Sequence, residues 1–304
     1  MAVGLGALAV TLLSTGCGGP PRQDVVVVYC AQDQVFAEPV FEDFRAKTGI
    51  RVLPVWDSEA VKTVGLANRL LAERSHPQCD VFWANEELRA RQLAAQGVFQ
   101  PGGGFATFGY RSRRMVINTN KVSAAAAPGS ILDLTNAAWR GHVALAYPLF
   151  GTTAAHFLAL RQRWGDAAWK SWCRALQANH PLLVDGNSVV VKLVGQGEAW
   201  LGLTDSDDIN GAIREGAPVA ALPLTPELLI IPNALGVVQG SPHPESAARL
   251  MAFLQRAAVG FRLVRDGAIE GAERPADGGL KVDWDPLLKD LEPATETLKQ
   301  IFLR

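Results

Sequence analysis

This chain of 304 residues carries almost no net charge: 29 Lys and Arg stand against 30 Asp and Glu, a formal −1 at pH 7. With no basic surplus to neutralise a phosphate backbone, nucleic-acid binding is not expected. Cysteine is scarce, four residues in all, which excludes a small fold held by disulfides. Histidine is scarce too, and the five residues are scattered, with no clear general base among them. There is no Gly-x-Ser-x-Gly elbow, no His-Glu-x-x-His pair and no Gly-x-x-x-x-Gly-Lys loop, so enzyme signatures are missing. What is present is apolar: 48% hydrophobic residues, ample for packed cores, in a length that allows about two domains.

Residues 1–16 hold no charged side chain, and Ala2 to Leu13 is nearly all small and apolar. A membrane-spanning helix needs about 20 residues, so this stretch fits a signal-peptide core instead. It ends in Leu13-Ser14-Thr15-Gly16-Cys17, which resembles a bacterial lipobox. The expectation is a lipoprotein signal peptide over 1–16, lipidation of Cys17 and a short tether over 17–24. A plain secretory signal is the other reading. Either places the mature chain in the periplasm or at the cell surface, and the first anchors it to the membrane by lipid. Cys30 ends an expected strand and Cys79 precedes one, so in a parallel sheet their sulfurs lie at opposite ends and cannot bridge. With Cys173 they are read as buried thiols outside any disulfide.

Val25-Val26-Val27-Val28-Tyr29 is a β-branched run suited to a strand covered on both faces. Phe36, Val40, Phe41 and Phe44 recur at helical spacing, and Gly49 stops them. Strand and helix then alternate: Ile50–Val55, Ser58–Arg74, Asp80–Trp83, Glu86–Gln96. A second block follows, with strands at 143–146, 182–184 and 200–204 and helices at 152–164, 167–178 and 189–195. Such alternation means crossovers and parallel strands. Trp139, Trp164, Trp169 and Trp172 fall at helical positions and read as core.

In parallel sheets, binding sites gather beyond the carboxyl ends of the strands. Here those ends are Cys30-Ala31-Gln32-Asp33, Trp56-Asp57-Ser58-Glu59 and Trp83-Ala84-Asn85-Glu86, all polar or acidic, two with Trp. The bland explanation is helix capping by Asp57, Ser58 or Asn85.

On Tyr29-Cys30-Ala31-Gln32-Asp33, Cys79-Asp80-Val81-Phe82-Trp83, Gly109–Thr119 and above all Ile230–Ala248, the chain resembles the family-1 extracellular solute-binding proteins of bacterial ABC importers, nearest to the periplasmic ferric-iron-binding branch. The resemblance implies an α/β, type II periplasmic-binding-protein fold: two α/β lobes joined by two crossover strands, with a ligand cleft between them. Lobe one would comprise 25–112 plus 236–304, and lobe two 113–235. It implies a monomeric, non-enzymatic receptor without a cofactor, working with a permease and an ATPase.

That family's iron site uses a His, a Glu and two adjacent Tyr with an accompanying anion. The corresponding positions here are Asp33, Asn85 with Glu86 alongside, and Gly202–Ile209, which contains no Tyr, so a phenolate–iron site is not expected. Asp205, Asp207 and Asp208 instead offer hard oxygen donors that suit Fe³⁺, Mn²⁺, Mg²⁺ or Ca²⁺. The expected metal set is therefore Asp33, Asn85, Glu86, Asp205, Asp207 and Asp208; a solvated acidic turn is the alternative. Gly151, Thr152 and Thr153 at a helix start, with Asn187, would hold an anion, unless Thr152 is simply a cap. A second solute class, an organic amine such as a polyamine or a thiamine-like compound, would stack on Trp56 and Trp83 and pair with the aspartates, Asp57 and Glu59 lying in the same cleft. A phosphonate or sugar phosphate at Thr152 and Thr153 is a further variant.

Overall fold

The computed structural model describes residues 24–56, 62–273, 275 and 278–303. The valine run forms β1 (Val25–Cys30), followed by α1 (Gln34–Thr48), β2 (Arg51–Val55), α2 (Lys62–Ala72), β3 (Val81–Ala84) and α3 (Glu87–Ala95). Helix α1 buries Ala37, Val40, Phe41 and Phe44, and Gly49 closes it in the left-handed conformation at φ 75°. That is the stop its glycine signalled. Strand β1 lies between β2 and β3, parallel to both.

Strand β4 (Phe105–Asn118) runs for 14 residues and serves two sheets. Its first half, Phe105 to Ser112, pairs antiparallel with β9 (Ile230–Val237), which in turn borders β3. Its second half, Arg113 to Ile117, pairs antiparallel with β7 (Leu201–Asp205). Beyond β7 lie β5 (Val143–Ala146) and β6 (Leu182–Val184), parallel to it, while β8 (Val219–Ala221) joins the end of β4. The order β2-β1-β3-β9-β4-β7-β5-β6 is thus two sheets joined through β4 and β9. This is the two-lobed type II arrangement expected from the sequence. The change of partners falls between Ser112 and Arg113.

A bulge interrupts β4 between Phe108 and Tyr110. Gly109 sits there at φ 56°, and a Cβ on it would come within 2.6 Å of Ile269 Cδ1. Both facts demand glycine.

Each sheet is covered on both faces. In lobe one, Val26, Val28, Trp83 and Leu235 pack with α1, while Tyr29, Phe82 and Phe99 face the other way. In lobe two, α4 (Gly151–Trp164) and α5 (Asp166–Ala178) cover one face, and α6 (Asn187–Gln196) and α7 (Ser206–Arg214) the other. Trp169 and Trp172 are core, with Trp139 and Trp164 packed against them. Cys30, Cys79 and Cys173 are all buried, with no disulfide among the described residues.

The third segment departs from the expected division. Helices α8 (Pro244–Leu254) and α9 (Ala257–Asp266) pack in lobe one, but α10 (Trp284–Lys289) and α11 (Leu291–Phe302) do not. Leu287, Leu291, Leu298 and Phe302 join the core of Met115, Phe157 and Trp172 in lobe two, with the Phe157 and Phe302 ring centroids 5.9 Å apart. The apolar stripe of α11 finds its cover on α4 and α5, so the chain crosses back a third time. Among the described residues, no helix is long and apolar enough to cross a membrane.

Candidate functional site

A cleft of about 60 Å³ lies where the strand ends of the two lobes meet, bordered by Asp33 and Asn85 from lobe one and by Thr152, Asn187, Asp205 and Asp208 from lobe two. Two side chains that the sequence reading gave no role dominate it. Strand alternation puts Arg111 and Arg113 on one face of β4, at the crossover. They are 3% and 0% exposed, and charges buried so deeply require partners.

Asp205 is the main partner. Its Oδ1 accepts from Arg113 at 2.7 Å, while its Oδ2 accepts from Thr152 Oγ1 at 2.8 Å and from Arg111 and Asn187 at 3.2 Å. Burial would raise its pKa, but the two guanidiniums and these donors outweigh burial and hold it below the usual carboxylate range. Arg111 also forms an ion pair with Asp207 and donates to the Asn85 carbonyl at 3.0 Å. Arg113 donates further to Asn187 Oδ1 at 2.8 Å and to the Leu203 carbonyl at 3.0 Å.

Negative charge still exceeds positive. Carboxyl oxygens of Asp205, Asp207 and Asp208 lie within 4.8 Å of one another. Burial, with repulsion from Asp205 and Asp33, pushes Asp207 up to about 6 despite Arg111. Burial, with repulsion from Asp207, Asp205 and Asp33, raises Asp208 well above its ordinary value. Asp207 Oδ1 is buried and has no hydrogen-bond partner among the described residues. A cation brought to these oxygens would relieve both the repulsion and the missing bond.

Helix ends supply the opposite field. Phe150 stands at the N-cap of α4 and Gly186 at that of α6, and neither gives a side-chain cap. Thr152 is not the cap; it lies inside α4 with its hydroxyl on Asp205. The first-turn N–H groups of both helices therefore open toward the cleft beside Arg113, an arrangement that attracts an anion.

Several expected residues are placed elsewhere. Glu86 is fully buried and caps α3, accepting from the backbone N–H of Leu88 at 2.5 Å and Arg89 at 3.1 Å. Its carboxylate serves its own helix instead of the cleft, and Asn85 is not the cap. Trp83 is buried under α1 between Phe41 and Phe108, with centroids 5.7 and 5.8 Å away. Trp56 packs on Phe41 at 6.2 Å. The pleat sends both rings onto the face of the sheet, so neither offers the cleft a stacking surface. Asp57, Glu59 and Cys17 lie outside the described residues. His156 is buried, bonds the Glu227 carbonyl at 2.7 Å, and is pushed down to about 3 by burial and Arg113: a neutral core histidine.

A phenol borders the cleft after all. Tyr147, from the turn after β5, stands among the lining residues with Asp33 and Asp208. The clue to Arg111 and Arg113 was two arginines at i and i+2 in a strand otherwise mostly apolar. Tyr147 gave no such signal.

A family model described as a bacterial extracellular solute-binding protein matches residues 26–267. The Fe(3+)-binding periplasmic protein of Serratia marcescens is 29% identical over 210 residues, 63% of this chain and 60% of that protein. The major ferric iron-binding protein of a serogroup A strain of Neisseria meningitidis is 25% identical over 254 residues, 75% of each chain. The iron-bound HitA of Pseudomonas aeruginosa superposes with a TM-score of 0.79 at 18% identity, over 91% of this chain and 99% of that one.

Proposed function

This chain belongs to the family of bacterial extracellular solute-binding proteins, and from that premise we propose that it captures ferric iron, with a small anion, between its lobes for an ABC importer. The observation that carries the reading is the surplus of converging carboxylates, with a buried Asp207 oxygen unpartnered, beside two uncapped helix N-termini. Asp33, Asp207, Asp208 and the Tyr147 phenol would ligate the ion, all of them hard oxygen donors. Asn85 would contribute from lobe one. Asp205 already accepts four donors, so its part is to hold Arg113 and Arg111. The anion would sit at Gly151, Thr152, Thr153 and Asn187. Iron would take the unpartnered Oδ1 of Asp207, with Arg111 on the other oxygen close to the anion. Cation and anion would then load together.

The lining of the cleft is polar and charged, with Asp33, Asn85, Thr152, Asn187 and Asp208 around it, which suits a charged guest. The amine reading loses its aromatic surfaces, because Trp56 and Trp83 face away. The protein would act without catalysis, as a monomer held by lipid on Cys17, delivering to a permease and an ATPase. Both relatives named above are ferric-iron-binding proteins by name, and the name of the Serratia marcescens protein places it in the periplasm.

The test is titration of metal-stripped protein with Fe³⁺ presented as citrate, against Mn²⁺, Ca²⁺ and a polyamine. Ligand at 100 times Kd adds about 2.7 kcal/mol to stability. The Fe³⁺ complex should absorb in the visible through Tyr147, and Tyr147→Phe should lose that band. No heat and no rise in Tm with Fe³⁺ would reject the reading.

A further inference from the structure

The face of β4 that points away from the cleft carries a second polar cluster. Alternation sends Ser112 and Arg114 there, opposite Arg111 and Arg113. Both meet Glu270, in the stretch that follows α9. Its carboxylate accepts from the Ser112 hydroxyl and from Arg114 at 2.9 Å. The Ser206 hydroxyl stands beside this carboxylate and helps to hold it ionised. Ser206 Oγ in turn accepts the Ser112 backbone N–H at 3.2 Å. Glu270 is itself fixed: its backbone N–H donates to the Tyr110 carbonyl at 2.6 Å, and the neighbouring Ile269 is buried in the lobe-one core.

The sequence positions of the two serines matter. Ser112 stands between Arg111 and Arg113, and Ser206 stands between Asp205 and Asp207. The carboxylate therefore holds the serine between the two arginines directly, and that serine's backbone N–H holds the serine between the two aspartates. It does so where β4 changes sheets, with Glu270 rooted in lobe one and Ser206 in lobe two.

We propose that Glu270 is a positioning residue of the cleft: through Ser112 and Ser206 it sets the register in which Arg111 and Arg113 face Asp205 and Asp207. It touches none of these four charges itself. Outer partners of this kind are worth about 10- to 100-fold in metal affinity. The affinity part of the test rests on the ferric reading above; the coupling part does not.

Two measurements on the full chain test it. In metal-stripped protein, Glu270→Ala and Asp207→Asn are combined in a double-mutant unfolding cycle. Positioning predicts that the two unfolding constants fail to multiply by about threefold or more, although the residues do not touch. Then Fe³⁺ affinity is measured by citrate competition. Glu270→Ala should lower it about tenfold, and Glu270→Gln should restore most of the loss, because its amide oxygen still accepts from the Ser112 hydroxyl. Multiplicative unfolding constants, or an Ala variant that binds iron like the wild type, would overturn the proposal. Coupling in a wild type that takes up no iron would support the clamp and sink the ferric reading alone.

Discussion

Asp205→Asn in metal-stripped protein probes the centre of the charge network. The substitution keeps the shape and removes one charge, leaving Arg113 fully buried beside a neutral amide. Breaking a buried ion pair from one side costs about 3–5 kcal/mol. Arg113 would keep Asn187 Oδ1 and the Leu203 carbonyl, and Arg111 would keep Asp207 and the Asn85 carbonyl. Those remaining acceptors place the loss at the low end, about 3 kcal/mol. At about 2.1 cal/mol/K of unfolding entropy per residue, Tm should fall by about 5 °C. The pH dependence fixes the cause. Asp205 titrates below its ordinary 3.8 in the folded chain. Its stabilisation is therefore complete above that value and disappears as pH falls through the lower folded pKa. Urea unfolding at pH 7 and at pH 3 should show the gap between wild type and variant narrowing in acid. A variant within 1 kcal/mol of wild type at pH 7, or a gap indifferent to pH, would refute the argument.

Burial raises the Glu86 carboxyl from 4.5 to about 7, so the folded chain holds a proton the unfolded chain has released between those values. Stability should accordingly fall by about 3 kcal/mol as pH rises through that window, at about 1.36 kcal/mol per unit. Glu86→Gln should flatten the slope in urea titrations, and parallel curves would count against it. Gly109→Ala meets both a left-handed backbone and the Ile269 side chain, a strain of about 1–3 kcal/mol readable as a lower Tm; a silent substitution would remove the reason for glycine there. Trp56→Phe should leave Fe³⁺ affinity unchanged by calorimetry, whereas a tenfold loss would return an aromatic to the cleft.

Much of the scaffold was legible because it is local. The valine run of β1 and the glycine after α1 each carry their instruction within a few residues. The family likeness of Ile230–Ala248 supplied the return crossing. Three things were not local. The partners of Arg111 and Arg113 lie 96 and 92 positions away at Asp207 and Asp205, so no window shows the pairing. The cap of α3 fell to Glu86 instead of Asn85, a choice made by backbone direction at one residue. The stripe of α11 is equally apolar whichever lobe receives it, and only the exposed flank of α4 and α5 decides. The spacing of Asp205, Asp207 and Asp208 announced crowded carboxylates, but not the two arginines that already meet part of their charge.

The single additional residue at Gly109 acts as a spacer in the ladder with β9. On both sides of it β4 keeps β9 as its neighbour: Phe108 faces Asn233 and Tyr110 faces Pro232, so the extra residue has no counterpart on the other strand. Excise it and every later pair keeps its partner, but the local bend and added twist that a bulge supplies go with it. The stretch that carries Arg111 and Arg113 toward Asp205 and Asp207 would then leave the first sheet at a different angle. A deletion of one glycine, with no charged residue altered and no ladder partner exchanged, would thus re-aim the whole recognition surface.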